Sequence, residues 1–256
     1  MNIAVVLKQV PDLVEGLEID AGGKAVDPSS VRYILSESDD HALEQALIIK
    51  EQVGGRVEVY SLDTGEAKEA MVTALAKGAD HAVMVNAGLD SAPDNHTAAR
   101  VFASVFRDKR FNLILTGVRA IDDLDGSLGG LIAGFLDLPY VGLIRKVQVE
   151  AGATTTIVEK EYPGGCAAEL AVTPPAVLGI QAAERPPRYV PITRLRQMMK
   201  TATVEELLVP PPSLQPIGIV RLFKPEEGAG AVMLTGSLEA ISQQVTGLIA
   251  EKHLLR

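Results

Sequence analysis

The first half of the chain alternates short runs of apolar, β-branched residues with longer stretches of helical periodicity. The apolar runs read IAVVL, RVEVYSL, HAVMV and NLILTG, and after each of them apolar residues recur at three- and four-residue spacing before the next run. Strands separated by helices pair in parallel, because each helix carries the chain back across the sheet. The sequence therefore predicts an α/β fold with an open, mostly parallel, doubly wound sheet.

The pattern changes after Pro139. Residues 141–181 are β-rich and contain turn signals at Ala151–Gly152 and Pro163–Gly165, which predicts a β-hairpin insertion that returns to the sheet at AVLGI. Cys166 follows the second turn, and we expect it to be a half-buried hairpin residue rather than a nucleophile. Residues 185–215 are rich in proline and arginine without clear periodicity, so we expect an exposed connector there.

The chain closes with a stretch that predicts an amphipathic helix. Its apolar face is formed by Leu238, Ile241, Val245, Leu248 and Ile249. Such a face packs on its own domain or reaches a partner, and both alternatives stay open. We divide the chain into an α/β domain over residues 1–184, a docking segment over 185–200, and a C-terminal arm over 201–256 that ends in the helix.

Three loops of the predicted sheet should meet at one place. In parallel sheets, ligands bind beyond the carboxyl ends of the strands, where helix N-termini present unpaired N–H groups. Residues 6–10, 62–65 and 117–130 each follow a predicted strand at that end. We call these three segments the ligand edge.

The loop GVRAIDDLDGSLGG, residues 117–130, combines glycines with three aspartates. Backbone amides around Gly126, Ser127 and Gly129 suit a phosphate without any basic side chain. The alternative is a turn capped by Asp125 or Ser127, with its acids in solvent. His41, near the same edge, suits a capping or surface role, with ligand contact as its alternative.

Composition excludes several classes of function. The chain has 24 Lys and Arg against 33 Asp and Glu, a formal charge of −9, which disfavours nucleic acid and anionic lipid as partners. No apolar run is long enough to cross a bilayer, so we expect no membrane insertion. Its one cysteine and four scattered histidines predict neither an internal disulfide nor a metal site. We expect a reducing compartment, the cytoplasm.

Seven motifs resemble the β subunit of electron transfer flavoproteins in order and spacing. They are VVLKQVPD, HALEQALIIKE, TALAKGADHAVMV, LTGVRAIDD, AGFLDLP, VTPPAVLGIQ and PPRY, and they cover roughly residues 1–200. The resemblance implies the adenine-nucleotide-hydrolase-like, Rossmann-like form of the sheet. It also implies a heterodimer with an α subunit that holds most of an FAD, and an adenine nucleotide in this chain. That nucleotide is AMP in ordinary carriers and a second FAD in the electron-bifurcating branch.

The function implied by the resemblance is electron transfer, without an acid, base or nucleophile in this chain. Electrons pass from dehydrogenases, such as acyl-CoA dehydrogenases, through FAD to a membrane quinone oxidoreductase or another acceptor. Two alternatives from other classes remain. One is a stand-alone adenine-nucleotide-binding stress or signalling module, and the other is a nucleotidyl-transferring enzyme, for which the loop offers only Arg119.

The resemblance also places the nucleotide on named residues. Two family features depart here: the Asn-Pro pair is Ser36 and Glu37, and the polar trio at the phosphate is Gly126, Ser127 and Leu128. We expect the backbone cradle to remain while side-chain donors are lost. Asp122-Asp123-Leu124 in place of Asp-Gly-Asp favours an ordinary carrier. The nucleotide-lining positions are Val6, Ser36, Glu37, Ser38, Asp39, Leu62, Ala120, Ile121, Asp122, Asp123, Gly126, Ser127, Leu128 and Gly129.

The docking segment carries the dense basic stretch of an otherwise acidic chain. Its basic residues surround two apolar candidates, Tyr189 and Ile192, and an apolar anchor ringed by charge suits docking. In the family this loop holds the donor dehydrogenase through a leucine, and Ile192 falls at that position. The alternative is a stiff, solvated linker. The predicted docking residues are Arg188, Tyr189, Ile192, Arg194 and Arg196.

Overall fold

A computed structural model describes the chain apart from residues 15, 66, 90–92, 124, 151, 212–217, 226–227, 229 and 255–256. The described residues form two compact units, Met1–Val220 and Arg221–Arg256. In the described parts of both, no helix has the length and apolar character needed to cross a membrane.

The first unit contains eleven strands and five α-helices among its described residues. Their bounds, in chain order, are β1 Asn2–Val6, β2 Gln9–Pro11, β3 Tyr33–Leu35, α1 Glu37–Val53, β4 Arg56–Leu62, α2 Ala67–Lys77, β5 His81–Asn86, α3 Asn95–Phe106, β6 Leu113–Gly117, α4 Leu128–Leu136, β7 Tyr140–Gln148, β8 Thr156–Tyr162, β9 Cys166–Val172, β10 Ala176–Ile180, α5 Ile192–Thr201 and β11 Glu205–Leu208. A 3₁₀ turn, Pro28–Ser30, precedes β3.

The main sheet has the order β11-β5-β4-β1-β6-β10-β7-β8-β9. The strands from β11 to β7 are parallel, and β8 and β9 continue the sheet in antiparallel pairing. This arrangement confirms the predicted open, mostly parallel sheet and the hairpin insertion that returns at β10. The short strands β2 and β3 form a separate antiparallel pair that the sequence did not predict.

Two cores cover the two faces of the sheet. Alternate residues of a strand point to opposite faces, so Val5 and Val6 of β1 belong to different cores. The first core packs α1 and α2 against the sheet, for example through Leu43. The second packs α3 and α4, where Phe106 meets the ring of Tyr60 edge to face at 4.9 Å. Helices on both faces confirm the doubly wound prediction.

The prediction of an irregular connector over residues 185–215 is wrong. Residues 192–201 form α5, which lies against α2, and residues 205–208 form β11, which pairs in parallel with β5. The apolar spacing of Ile192, Leu195 and Met199 is helical, but the prolines before it and the arginines within it obscured the pattern. The arm predicted from residue 201 therefore begins with a strand of the main sheet.

The environment of Cys166 also differs from the prediction. It is the first residue of β9, directly after Gly164 and Gly165, whose positive φ values of 81° and 75° make the turn. The cysteine is exposed rather than half-buried. The reason is its position at the outer end of the edge strand, where the hairpin extends beyond the core.

The second unit contains the helix α6, Leu238–Glu251, as the apolar periodicity predicts. Ser237 caps it, and its Oγ accepts the backbone N–H of Ala240 at 3.3 Å. No residue of α6 is buried, and the side chain of Leu238 is 80% exposed. The second unit by itself thus does not bury the apolar stripe of this helix.

Candidate functional site

The order of the sheet brings the three segments of the ligand edge together. β1 lies between β4 and β6 and is parallel to both, with Val6 opposite Tyr60 and Val5 opposite Leu115. The chain after β1 continues to α1 on one face of the sheet, and the chain after β6 continues to α4 on the other face, which opens a crevice at the carboxyl ends of these strands. This is the convergence that the sequence predicted, because each of the three segments follows a strand of a parallel sheet.

Two of the loop aspartates are held by a lysine that follows β1. Lys8 Nζ donates to Asp122 Oδ1 and to Asp123 Oδ1, both at 2.7 Å. Burial disfavours the charged ammonium, but the hydrogen bonds that it donates to both carboxylates outweigh burial and raise the pKa of Lys8 above its ordinary value. Asp123 Oδ2 also accepts the backbone N–H of Ala120 at 3.1 Å. Both acids are thus bonded within the chain, and the alternative of solvated acids does not hold for Asp123, whose side chain is 8% exposed.

Asp39 joins the start of α1 to two strand ends. Its Oδ1 accepts the backbone N–H of Gly117 at 2.9 Å, and its Oδ2 accepts that of Lys8 at 3.0 Å. Burial raises the pKa of this carboxyl to about 7, although both backbone hydrogen bonds favour the charged form. Beside it, Ser38 Oγ donates to the carbonyl of Arg119 at 2.7 Å. The side chains of Ser38 and Asp39 thus connect the start of α1 to the segments 6–10 and 117–130 of the ligand edge.

The start of α4 has no side-chain cap. Ser127 occupies the N-cap position without a capping hydrogen bond, and the first turn carries no acidic residue. Asp125 Oδ1 accepts the backbone N–H of Ser127 at 3.1 Å and an N–H of Asn95 at 2.9 Å, so it does not reach the amides of the first turn. The predicted cap at Asp125 or Ser127 is therefore wrong. The first turn of α4 keeps its N–H groups and its positive dipole end for an anion.

The two glycines of this loop are required by close packing. A Cβ on Gly126 would lie 2.5 Å from the carbonyl oxygen of Val118, and one on Gly129 would lie 2.7 Å from Thr116 Oγ1. Thr116 is fully buried, and its hydroxyl has no hydrogen-bond partner among the described residues. A side chain at either position would push the loop away from the sheet.

These observations fit a phosphate held by backbone. The uncapped start of α4 supplies N–H donors, whereas the start of α1 carries Glu37, Asp39 and Asp40 and would repel an anion. Neither Gly126 nor Leu128 has a polar side chain. The hydroxyl of Ser127 donates its hydrogen bond to Asp125 Oδ1. Any nucleotide would thus depend on main-chain contacts, as the substituted trio predicts.

The remaining predicted residues lie around this edge in different environments. Val6, Ser36 and Ala120 are buried. Leu62 is partly buried, and Ile121 is 55% exposed. Nothing in the structure distinguishes their contacts with a ligand, so their roles stay predictions. His41 has a different role: its Nδ1 accepts the backbone N–H of Ala183 at 3.1 Å, which makes it a bridge to the chain beyond β10.

The basic residues of the docking segment fall into two groups, those with an ion pair and those without one to any described residue. Arg188 donates to Glu44 Oε2 through Nε at 2.8 Å and pairs with Glu51 Oε1 through Nη1 at 2.9 Å, so its guanidinium is occupied. Arg194 and Arg196 are exposed on α5 and make no ion pair with any described residue. Tyr189 and Ile192 are 79% and 59% exposed. Exposed apolar side chains therefore lie in the same segment as positive charges that are unpaired within the described chain, but Arg188 does not contribute to those charges.

Sequence reasoning missed Lys8, Glu44 and Glu51. Lys8 lies in the VVLKQVPD motif directly after β1, which was the available signal for a residue at the ligand edge. Glu44 is almost fully buried in α1, and an acid on the buried face of a helix is a signal for an internal partner.

The comparison with known proteins agrees with this geometry. A family model described as the electron transfer flavoprotein domain matches residues 24–212. The chain belongs to the electron transfer flavoprotein family.

Similar members of the electron transfer flavoprotein family span the whole chain. The electron transfer flavoprotein subunit beta of Methylophilus methylotrophus is 30% identical over 98% of both chains. The protein of the same name from Thermoanaerobacterium thermosaccharolyticum is 29% identical over the full length of both. The caffeyl-CoA reductase-Etf complex subunit CarD of Acetobacterium woodii is 28% identical, again over both full lengths. The predicted resemblance to the β subunit family is confirmed.

Proposed function

We propose that this chain is the β subunit of a heterodimeric electron transfer flavoprotein that carries electrons from dehydrogenases to a quinone oxidoreductase or a similar acceptor. The supporting observation is similarity to β subunits over the full chain, together with an exposed docking helix. FAD, held mainly by the α subunit, supplies the redox chemistry when bound. The chain itself needs no acid, base or nucleophile for this role. Its exposed, unpaired cysteine is compatible with a reducing compartment, the cytoplasm.

For the ligand edge, we propose an adenine nucleotide with its phosphate on the amides from Gly126 to Gly129. The uncapped start of α4 and its helix dipole would hold the anion. Lys8 offsets part of the negative charge of Asp122 and Asp123, which reduces the repulsion that these acids would otherwise exert. Val6, Leu62 and the residues from Ser36 to Asp39 would surround the rest of the nucleotide.

For assembly, we propose that α6 contacts the α subunit. An amphipathic helix that buries none of its residues exposes apolar surface that association would remove from water. For docking, we propose that Ile192 anchors the donor dehydrogenase while Arg194 and Arg196 attract its acidic surface.

The second candidate is an electron-bifurcating β subunit that carries a second FAD. Its support is the likeness to a relative whose name places it in a complex with caffeyl-CoA reductase. Against it stands Asp122-Asp123-Leu124 in place of the Asp-Gly-Asp pattern. A stand-alone adenine-nucleotide-binding module is the third candidate, and it would need no α subunit.

Cofactor stoichiometry separates these candidates. The chain would be purified alone and after co-expression with its α subunit, and FAD and AMP would be released and counted. An ordinary carrier gives a colourless single chain and a yellow heterodimer with one FAD and one AMP or none. Two FAD per heterodimer supports bifurcation. A chain that binds nucleotide but forms no complex with the α subunit would refute the carrier proposal.

A further inference from the structure

We propose that helix α1 positions the docking segment through a stripe of side chains, and that this positioning determines how well the donor is captured. The inference rests on the proposed docking role of that segment. The stripe consists of His41, Glu44, Gln45 and Glu51, which share one face of α1 at helical spacing. Together these side chains hold residues 183–188, the stretch that leads directly into Tyr189 and Ile192.

The first half of the stripe holds the backbone as it leaves the sheet. His41 Nδ1 accepts the N–H of Ala183 at 3.1 Å, and Gln45 Oε1 accepts the N–H of Glu184 at 3.2 Å. Gln45 Nε2 also donates to Glu184 Oε1 at 3.2 Å, and the glutamine side chain is fully buried. Three hydrogen bonds thus fix two successive residues against α1.

The second half of the stripe holds Arg188. Glu44 accepts from Arg188 Nε at 2.8 Å, from its Nη2 at 2.9 Å and from its backbone N–H at 3.1 Å. The carboxylate side chain is only 3% exposed. Burial acts to raise its pKa, but the bonds from Arg188 outweigh burial, so the pKa of Glu44 lies below its usual value. A bidentate pair plus a backbone contact fixes both the side chain and the main chain at this position.

Glu51, two turns beyond Glu44 in α1, binds the same stretch. We call the contacts between the stripe and residues 183–188 the clamp. It pairs with Arg185 Nη2 at 2.7 Å and with Arg188 Nη1 at 2.9 Å. Both arginines are thereby neutralised by α1, which leaves Arg194, Arg196 and Lys200 as the basic residues of the docking segment without an ion pair to any described residue. The segment therefore contains clamping arginines before the anchor and steering charges after it.

The position of the anchor depends on this clamp. α5 begins at Ile192, only four residues after Arg188, and buries none of its own residues. A helix with so little burial of its own is held by the contacts at its ends and by α2. If the clamp opens, Ile192 samples many positions. Binding of a donor then includes the free-energy cost of ordering this segment, so the affinity falls.

The test uses the full-length chain in its heterodimer with the α subunit. Arg188→Lys keeps the charge and loses the bidentate fork, and Glu51→Gln is a milder change at a half-exposed position. Asp80→Asn is the matched control, because it removes another ion pair of α1, with Lys50, that does not touch the docking segment. Hydrogen exchange of amides 189–201 is measured with no donor present, and a purified acyl-CoA dehydrogenase, reduced by its substrate, then serves as the electron donor.

We expect Arg188→Lys to speed exchange of these amides about tenfold and to raise the donor concentration for half-maximal rate by about the same factor. The limiting rate and the FAD content should not change, which a general structural defect would not reproduce. Glu51→Gln should change both quantities in the same direction by less, and Asp80→Asn should change neither.

Two results would overturn the inference: unchanged exchange in Arg188→Lys and Glu51→Gln, or faster exchange with an unchanged half-saturating concentration. A separate variant distinguishes failure of the docking proposal itself. If Ile192→Ala leaves the half-saturating concentration unchanged, the donor does not use this segment, whatever the clamp variants do. If Ile192→Ala raises it while the clamp variants do not, the docking proposal stands and the clamp inference fails.

Discussion

The carboxylate of Asp39 accepts the backbone N–H of Gly117 at 2.9 Å, although 78 residues separate them in sequence. Its other oxygen accepts the backbone N–H of Lys8 at 3.0 Å. One buried acid thus connects the start of α1, the end of β6 and the chain beyond β1. Because Lys8 in turn holds Asp122 and Asp123, we expect a change at Asp39 to affect both the segment after β1 and the loop of residues 117–130.

The first prediction follows from the pKa of Asp39, which burial raises from 3.8 to about 7. Below the unfolded value, both the folded and the unfolded chain carry the proton. As the pH rises toward 7, the unfolded chain loses its proton first, so the contribution of Asp39 to stability falls over this window by at most about 4 kcal/mol. Urea unfolding of the wild type and of Asp39→Asn across this range should show that their difference in free energy of unfolding changes with pH.

The asparagine variant has a constant defect as well, because its amide cannot accept both backbone N–H groups. The informative quantity is therefore how the difference in free energy of unfolding changes with pH, rather than its size at one pH. Asp108→Asn, at an exposed position, should run parallel to the wild type. A carboxyl resonance of Asp39 that titrates near pH 4 would contradict the prediction directly.

Much of the fold was predictable because its signals are local. Each strand and helix from β1 to β10 is encoded by the spacing of apolar residues within one continuous stretch of sequence. The parallel pairing follows because strands and helices alternate along the chain. The strand β11 was missed because its four residues, EELL, become a strand only by pairing with β5. The pair β2 and β3 was missed for the same reason.

The ligand edge was predicted in location but not in its contacts. The rule that strand ends converge gave the three segments, and this required no contact information. The partner of Lys8 could not be predicted, because Asp122 lies 114 residues away. Arg188 was assigned to a docking surface because its neighbours in sequence are basic, whereas its partners in the fold, Glu44 and Glu51, lie on α1.

The second prediction tests the phosphate site through a glycine. Gly126→Ala places a Cβ 2.5 Å from the carbonyl oxygen of Val118, so the loop must move away from the sheet and take its backbone amides out of position. Loss of one charged hydrogen bond, about 1.5–3 kcal/mol, should weaken AMP binding about 10- to 100-fold. The measurement is AMP per chain in the purified protein, by chromatography after acid release.

Gly134→Ala is the control for this experiment. It lies within α4, where a Cβ meets nothing within 4 Å, and alanine should stabilise the helix by about 0.5–1 kcal/mol. Its AMP content should equal that of the wild type. If the wild type holds AMP and both variants hold as much, the phosphate lies elsewhere.

The third prediction concerns the C-terminal arm. Deleting residues 230–256 removes α6, which buries none of its residues, so the unit Met1–Val220 should remain folded. Association with the α subunit should weaken, because the apolar stripe is lost. Size-exclusion chromatography and thermal unfolding of the truncated chain measure the two effects. An unfolded or aggregated product would mean that the helix belongs to the chain's own core.

The fourth prediction concerns the charges of α5. Replacing Arg194 and Arg196 by serine should slow association with the donor and flatten its dependence on salt, because exposed charges steer encounter more than they hold a complex. A control pair, Lys24→Ser with Arg110→Ser, makes the same change in net charge at exposed positions away from the docking segment. If both pairs change the salt dependence equally, net charge rather than α5 steers the donor.

The last prediction concerns the apolar anchor. Ile192 is 59% exposed at the first position of α5, so its truncation removes little burial within the chain, and stability should change by less than about 0.5 kcal/mol. In a docked complex the same side chain would fill a pocket, and Ile192→Ala should cost about 2–4 kcal/mol there, mainly as faster dissociation. Stopped-flow reduction of the heterodimer by its dehydrogenase, over a range of donor concentrations, measures this loss. Met199→Ala removes an apolar side chain of similar exposure from the far end of α5 and serves as the control. Equal effects of the two substitutions would show that the donor contacts α5 without using Ile192 as its anchor.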